Sequence, residues 1–306
     1  MHESGCAAFA PFAESWKTQM RYVKPESFEA ASAVLVAEQG IARILTGGTD
    51  VLVMLKAEVV EPDLMVDIKH LPGMRDIVSE DGGYRIGAAV SSAQLGEHAG
   101  VKAMWPGVVE GAELIGSTQV QNRATMVGNL CTASPAADSV PALVTANAMA
   151  RVHGPDGARD VPVVDIPIAP GKTSLLKGEF ITSIYLPARP DNAADAYLRF
   201  IPRTEMDIAV SSAAVSLELD ASGTVTAACV ALGAVAPTVR LVPDAGAALI
   251  GTKLDAAAIA GLVAAAEAAC SPITDKRGTI EFRTKTAGVL AKRAAHIAYS
   301  RAGGKT

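Results

Sequence analysis

Cysteine is scarce in this chain and widely spaced. Only four cysteines occur in 306 residues, and no two of them form a C-x-x-C pair. Zinc sites and iron–sulfur clusters need several thiolates at short spacing, and disulfide-rich folds are much denser in cysteine. The sequence therefore predicts no metal, no iron–sulfur cluster and no disulfide framework, and it favours buried free thiols at Cys229 and Cys270.

Long apolar runs and excess positive charge are also missing. No apolar stretch reaches the roughly 18 residues of a membrane span, and the longest, 256–269, is mostly alanine and holds Glu267. A net charge of −5 argues against a general nucleic-acid surface. Residues 1–19 lack the basic start and apolar segment of a secretory signal. We expect a disordered extension or a misplaced start there, and a cytoplasmic location.

Several catalytic motifs are absent as well. The tripeptide at 171–173 (GKT) is not a P-loop, because Ile166 stands where that motif requires its first glycine. No G-x-G-x-x-G occurs, which excludes a Rossmann dinucleotide site. The histidines have no serine or cysteine elbow nearby and are ordinary candidates for structural roles. No side chain is therefore assigned as a catalytic acid, base or nucleophile.

Two short segments carry the strongest signal that is present. The first loop, 46–50, is TGGTD, and the second loop, 125–129, is TMVGN, about eighty residues later. Glycine lets backbone N–H groups approach an anion closely, because no Cβ intervenes and positive φ is accessible. A single loop of this kind is most often a turn. Two of them predict a site that holds a diphosphate from two sides.

Residue patterns predict an α+β protein. A strand at 42–45, the first loop, a helix at 51–58 and a strand at 63–68 form an α/β unit, with the loop at a helix N-terminus that favours phosphate. A second unit runs from 77 to a strand at 179–186. After a linker at 188–196, strands at 197–201, 208–219 and 225–232 precede two or three helices. The predicted domains are 20–187, divided into 20–76 and 77–187, and 197–306.

The two loops, in this order and at this separation, resemble those of the FAD-binding subunit of the molybdenum hydroxylases, the xanthine dehydrogenase and carbon monoxide dehydrogenase type. In that family the loops usually are Ala-Gly-Gly-(His/Thr/Asn)-(Ser/Asp/Glu) and Thr-Ile-Gly-Gly-Asn, the latter continuing into a stretch like Ala-Ser-Pro-Ala-Ala-Asp. Segments 119–125, 133–138, 203–209 and 277–283 are similar too. The resemblance spans about 20–301 and implies a PCMH-type FAD-binding fold.

The resemblance also implies a set of FAD contacts. The residues around the first loop, together with Thr125, Gly128 and Asn129, correspond to the diphosphate site. Thr132 and Asp138 match positions that touch FAD, and a carboxylate at 138 suits ribose hydroxyls. The implied cofactor-binding residues are Leu45, Thr46, Gly47, Gly48, Thr49, Asp50, Val51, Ile115, Thr125, Gly128, Asn129, Thr132, Asp138, Leu175, Arg199 and Ile208.

Several of these positions have a structural alternative. Asp50 and Asp138 are each candidates for a helix N-cap. The apolar positions Ile115, Leu175 and Ile208 match neighbours of the flavin ring but also suit the core. Arg199, and likewise Arg203, is either a positive charge near reduced flavin or half of a surface ion pair. Ser134 and Cys131 are further neighbours of the site.

One position departs from the family pattern. Val127 stands where the family usually has the first of two glycines. A β-branched residue at positive φ would be strained by about 1–3 kcal/mol. We therefore expect Val127 in the β region, with Gly128 alone giving close approach.

The function implied by the resemblance is electron transfer by noncovalently bound FAD. Electrons would come from two [2Fe–2S] clusters of a small partner subunit, and a large molybdopterin subunit would oxidise the substrate. The acceptor would be NAD⁺, a quinone, a cytochrome or oxygen. Two alternatives stay open: a self-contained FAD oxidase, and a non-catalytic module that has lost FAD, for which Val127 is the only argument.

Overall fold

A computed structural model describes residues 20–203 and 206–304. The predicted extension at 1–19 lies outside these residues. The described chain mixes helices and sheets, which confirms the predicted α+β class. Among the described residues, no helix combines the length and apolar character needed to cross a membrane.

The first unit is a parallel three-stranded sheet with two helices. Its strand order is β1-β3-β2, so the crossover from β2 to β3 carries the first loop and α2. The elements are β1 (Arg21–Val23), α1 (Phe28–Ala37), β2 (Ala42–Leu45), α2 (Val51–Lys56) and β3 (Leu64–Asp67). The predicted β–loop–α–β order is confirmed, and β1 is an additional strand.

The second unit is an antiparallel five-stranded sheet in the order β4-β5-β10-β6-β7. Its strands are β4 (Ile77–Glu80), β5 (Gly83–Gly87), β6 (Met149–Gly154), β7 (Gly157–Pro162) and β10 (Phe180–Leu186), with a separate small pair β8 (Pro167–Ala169) and β9 (Lys172–Thr173). Six helices lie between β5 and β6: α3 (Ser92–Glu97), α4 (Ala99–Met104), α5 (Pro106–Glu113), α6 (Thr118–Gln121), α7 (Met126–Cys131) and α8 (Val140–Thr145). Antiparallel hairpins join β4 to β5 and β6 to β7.

The third unit is an antiparallel sheet covered by helices. Its elements are β11 (Ala193–Phe200), β12 (Ser211–Leu219), β13 (Val225–Gly233), β14 (Arg240–Leu241), α9 (Pro243–Ala247), α10 (Ala256–Ala268) and α11 (Ile280–Arg301). The strand β11 begins at Ala193, so 193–196 of the predicted linker belong to the sheet, because the alanines there are buried. The strand predicted from Ile208 begins only at Ser211.

Two cores hold these units together, and β11 lies where they meet. One core fills the first two units and includes Tyr197 of β11, while the other lies between the third sheet and α9–α11. The buried carboxylate of Asp195 accepts a hydrogen bond from Val108 N at 3.2 Å, and Glu110 Oε2 accepts one from Tyr197 N at 3.0 Å. These bonds fix the third sheet against α5.

Candidate functional site

The two glycine-containing loops meet in the structure. The Oγ1 atoms of Thr46 and Thr125 lie 3.3 Å apart, and both side chains are buried. A Cβ added to Gly47 would lie 2.0 Å from the carbonyl oxygen of Arg123 and 2.9 Å from its carbon. Only glycine permits this approach, because a backbone carbonyl cannot rotate away as a side chain can. We call residues 46–50 together with 123–132 the cradle.

Unpaired backbone donors line the first loop. Among the described residues, the N–H groups of Gly47, Gly48 and Thr49 donate to no protein acceptor. Gly48 has φ +85°, a conformation that other residues adopt only with strain. Successive N–H groups left free in a glycine turn form an anion-binding concavity. This donor set fits a diphosphate.

Asp50 has a different role from the predicted cap. It occupies the N-cap position of α2 with φ −93° and ψ −52°, but its side chain accepts no capping bond. Its carboxylate instead accepts a hydrogen bond from Thr132 Oγ1 at 2.9 Å. The N-cap prediction is wrong because the helical φ and ψ of Asp50 turn the carboxylate away from the first turn, and the contact with Thr132 joins the two sides of the cradle.

The second loop is the start of a helix. Thr125 is the N-cap of α7, and its Oγ1 accepts a hydrogen bond from Gly128 N at 2.9 Å. Val127 therefore has helical backbone, so the prediction that it lies in the β region is wrong. Its side chain is buried in the first core beside Leu130. Capping and burial outweigh the weak helix preference of a β-branched residue.

Asn129 and Asp138 anchor the segment that follows α7. The Oδ1 of Asn129 accepts bonds from Ser139 N at 3.1 Å and Ser139 Oγ at 2.8 Å. Asp138 is not the cap of α8, since Ser139 holds that position. Its buried carboxylate accepts bonds from Arg199 Nη1 at 2.7 Å and from Tyr197 OH at 3.2 Å.

Burial governs the electrostatics of this pair. Desolvation raises the pKa of Asp138 to about 6, against the opposing effect of the Arg199 guanidinium. The alternative of a surface ion pair is wrong for Arg199, whose side chain is almost fully buried. Sequence reasoning missed Tyr197. Because side chains alternate along a strand, residues 197 and 199 share one face of β11, and that spacing was the available signal.

The remaining predicted residues are dispersed. Ile115 and Leu175 are half-buried, and Leu175 packs against the first core. Ile208 is 52% exposed, so its interpretation as a core residue is wrong. Arg203 is an exposed ion pair with Asp207 at 3.0 Å. Ile208 and Ser134 line a common cavity of about 280 Å³ between the second and third units.

Cys131 and the other described cysteines are free and half-buried. Desolvation raises the pKa of Cys131 to about 12, and those of Cys229 and Cys270 to about 11. The prediction of free thiols is confirmed for Cys229 and Cys270, although neither is fully buried.

Comparison with known proteins matches this geometry to one family. Residues 18–189 match the FAD binding domain in molybdopterin dehydrogenase, and 196–298 match the CO dehydrogenase flavoprotein C-terminal domain. The carbon monoxide dehydrogenase medium chain of Afipia carboxidovorans is 33% identical, over 92% of this chain and 97% of that one. The putative xanthine dehydrogenase FAD-binding subunit of Escherichia coli is 30% identical, over 89% and 93%.

Solved structures of enzymes from the same family have a similar fold. Carbon monoxide dehydrogenase from Hydrogenophaga pseudoflava matches with a TM-score of 0.87 and 32% identity, over 92% of this chain and 98% of that one. Quinoline 2-oxidoreductase from Pseudomonas putida 86 matches with a TM-score of 0.85 and 25% identity. Fold and cradle define a flavoprotein of the molybdopterin dehydrogenase type. The chain belongs to the FAD-binding medium subunits of the molybdenum hydroxylases, which confirms the resemblance and FAD as cofactor.

Proposed function

We propose that this chain holds FAD noncovalently in the cradle and serves as the electron-transfer subunit of a heteromeric molybdenum hydroxylase. The observation that carries the proposal is the set of free N–H groups at Gly47, Gly48 and Thr49, held against the Thr125 end of α7. When bound, FAD supplies the ability to exchange one or two electrons. The chain's own residues bind and orient it, with Thr46 and Thr125 fixing the two sides of the diphosphate site.

Noncovalent attachment is supported by the state of the nearby thiol. The thiolate is the nucleophilic form of cysteine, and a pKa of about 12 keeps Cys131 protonated at neutral pH. The described histidines at 70, 98, 153 and 296 lie outside the cradle segments. The chain thus offers no activated nucleophile within the cradle for a covalent flavin bond.

Partner subunits are supported by the relatives and by one surface. The relatives include medium chains of carbon monoxide dehydrogenases. In this chain α2 has five consecutive apolar residues and buries none of them. Val53 of α2 is 64% exposed, and Val59, shortly after the helix, is 70% exposed. Monomeric proteins rarely expose such patches. We infer a small subunit with [2Fe–2S] clusters and a large molybdopterin subunit as partners, with a cytoplasmic location as a remaining prediction.

The electron route that we propose rests on the family resemblance. Electrons would reach FAD from the [2Fe–2S] clusters and leave to NAD⁺, a quinone, a cytochrome or oxygen. No described side chain in the cradle needs to act as an acid or a base. The substrate of the complex would be set by the large subunit.

Coexpression tests the proposal. The chain, tagged and expressed with its neighbouring genes, should co-purify with an iron–sulfur chain and a molybdenum-containing chain, with FAD, iron and molybdenum in fixed ratios. Expressed alone, it should show the visible spectrum of bound FAD and oxidise no hydroxylase substrate. Turnover of an organic substrate by the isolated chain would favour the self-contained oxidase, and a colourless chain after incubation with FAD would favour a module that has lost its cofactor.

A further inference from the structure

One small hairpin of the second unit lies apart from the main sheet. The strands β8 and β9 pair only with each other in the described chain, and their register is irregular between Pro167 and Ala169. A two-stranded hairpin without a third strand is at best marginally stable in water. Its tip, from Pro170 to Lys172, is exposed, and so is Ile168 of β8. This hairpin should therefore open more readily than the larger sheets around it.

The base of the hairpin is fixed, whereas its tip is held by one contact. At the base, Ser174 N donates to the carbonyl oxygen of Ile166 at 2.8 Å, and Ile166 is fully buried. At the tip, a single backbone hydrogen bond reaches another segment of the described chain, from Gly171 N to Ala133 O at 3.1 Å. We call this hydrogen bond the latch. Breaking it would free the tip while the base stays in place.

Both residues of the latch have left-handed backbone. Gly171 has φ +70° and Ala133 has φ +49°. Glycine adopts this conformation at little cost, but alanine does so only with strain. A Cβ added to Gly171 would have no atom within 4 Å, so glycine serves the backbone conformation there rather than close packing. The latch therefore depends on a turn that most other residues would hold less firmly.

The latch lies at one end of the cradle. Ala133 directly follows Thr132, whose Oγ1 donates to the Asp50 carboxylate of the first loop at 2.9 Å. Pro170 of the tip lines the cavity between the second and third units, together with Ser134. Because the tip contacts the residue after the cradle on one side and is exposed to solvent on the other, it covers this end of the cradle.

Resting on the function proposed above, we propose that the β8–β9 hairpin is a flap over the FAD site, and that FAD enters and leaves when the latch opens. Such a flap contributes little to affinity, because the same opening precedes association and dissociation. It sets the rate of FAD exchange in both directions. A fixed wall of the site would act mainly on dissociation, since its contacts with FAD exist only in the bound state.

FAD exchange by the full chain tests this proposal. Dissociation is followed by chasing bound radiolabelled FAD with excess unlabelled FAD, and association by mixing the FAD-free chain with increasing FAD in a stopped-flow fluorimeter. Gly171→Val should raise both rates by the same factor, at least about fivefold, because a β-branched residue is strained at this φ. The Kd should stay within about twofold of the unmodified value. Gly171→Asn should have a much smaller effect, because asparagine tolerates left-handed backbone.

Matched variants separate the flap from a general effect of strain. Gly157→Val places valine at φ +100° in the β6–β7 hairpin, also with open space around the new side chain, and should leave both rates unchanged. Pro170→Gly loosens the tip by increasing its conformational freedom, and it should also raise both rates together. This variant serves if Gly171→Val does not fold.

Each other outcome contradicts a different statement. A rise in the dissociation rate alone, with Kd weakened by the same factor, would overturn the flap and make the hairpin a fixed wall of the site. Unchanged rates in both Gly171→Val and Pro170→Gly, or equal changes in Gly157→Val, would also overturn the flap while leaving FAD binding intact. Failure of the unmodified chain to bind FAD would refute the proposed function itself, and this inference with it.

Discussion

Thr46 and Thr125 are 79 positions apart in the sequence, yet their hydroxyl oxygens lie 3.3 Å apart in a buried junction. One belongs to the end of a parallel strand and the other caps α7. Their contact brings the free N–H groups of the first loop next to the N-terminus of a helix. Both features favour an anion, so under the proposed function the geometry of the junction should determine how tightly FAD is held.

The junction should fail when Gly47 is replaced by alanine. The new Cβ would lie 2.0 Å from Arg123 O, so the two sides of the cradle must move apart. We expect at least about tenfold weaker FAD binding and a Tm lower by several degrees, since about 1 kcal/mol shifts Tm by roughly 2–4 °C in a chain of this size. Gly73→Ala, at φ +73° with open space around it, is the control that should keep FAD. Unchanged binding in Gly47→Ala would contradict the contact.

Gly48→Val tests the backbone donors. Gly48 has φ +85°, so valine is strained by about 1–3 kcal/mol, and each bond lost from an N–H to the diphosphate is worth roughly 1.5–3 kcal/mol. FAD retention should collapse while circular dichroism remains that of a folded protein. Gly157→Val introduces a similar strain, at φ +100° in the β6–β7 hairpin, and should retain FAD. Full flavin occupancy in Gly48→Val would show that the first loop is only a turn.

Local pattern was sufficient to find the first loop and its flanking elements. The strand at 42–45, the glycine pair and the following helix are determined by neighbours within a few residues, so their types could be predicted from the sequence. The function was accessible through the family resemblance, which depends on both loops and on further segments along the chain.

Long-range contacts set the limits of that reasoning. Asp50 bonds to Thr132, 82 positions away, and Asp138 to Arg199, 61 positions away. Neither partner can be inferred from local spacing, so the local pattern offers both aspartates only a capping role as the structural alternative. The β-branched side chain of Val127 predicts the β region, whereas burial in the core and the Thr125 cap determine its helical conformation.

Acid precipitation tests the mode of FAD attachment. Because the pKa of Cys131 is raised to about 12, this thiol stays protonated and should form no bond to the flavin. All the yellow colour should therefore pass into the supernatant when the holo-chain is precipitated with trichloroacetic acid. Cys131→Ser should behave identically. Colour retained in the pellet of the unmodified chain would mean a covalent link and contradict the noncovalent proposal.

The buried pair of Asp138 and Arg199 should make stability depend on pH. The pKa of Asp138 is raised by desolvation from 3.8 to about 6 in the folded chain. Between these values the folded state binds more protons than the unfolded state, so stability falls as pH rises. The stabilising contribution of the protonated carboxyl is complete below about pH 4 and is lost above about pH 6.

Asp138→Asn isolates this effect, because asparagine does not titrate and keeps nearly the same shape. The free energy of unfolding in urea is measured for both proteins from pH 4 to pH 7. The asparagine variant lacks the charged bond to Arg199 at every pH, so this loss is constant. The informative quantity is the change with pH of the difference in unfolding free energy between the unmodified chain and the variant. The unmodified chain should lose stability relative to the variant by up to about 3 kcal/mol as pH rises from 4 to 6.5. Asp220→Asn, which alters an exposed turn where the folded-state pKa is lowered from 3.8, should give a nearly flat difference over this range, because its contribution changes mainly below about pH 4. If the difference in unfolding free energy between the unmodified chain and Asp138→Asn does not change with pH, the Asp138 carboxylate is ionised throughout the range.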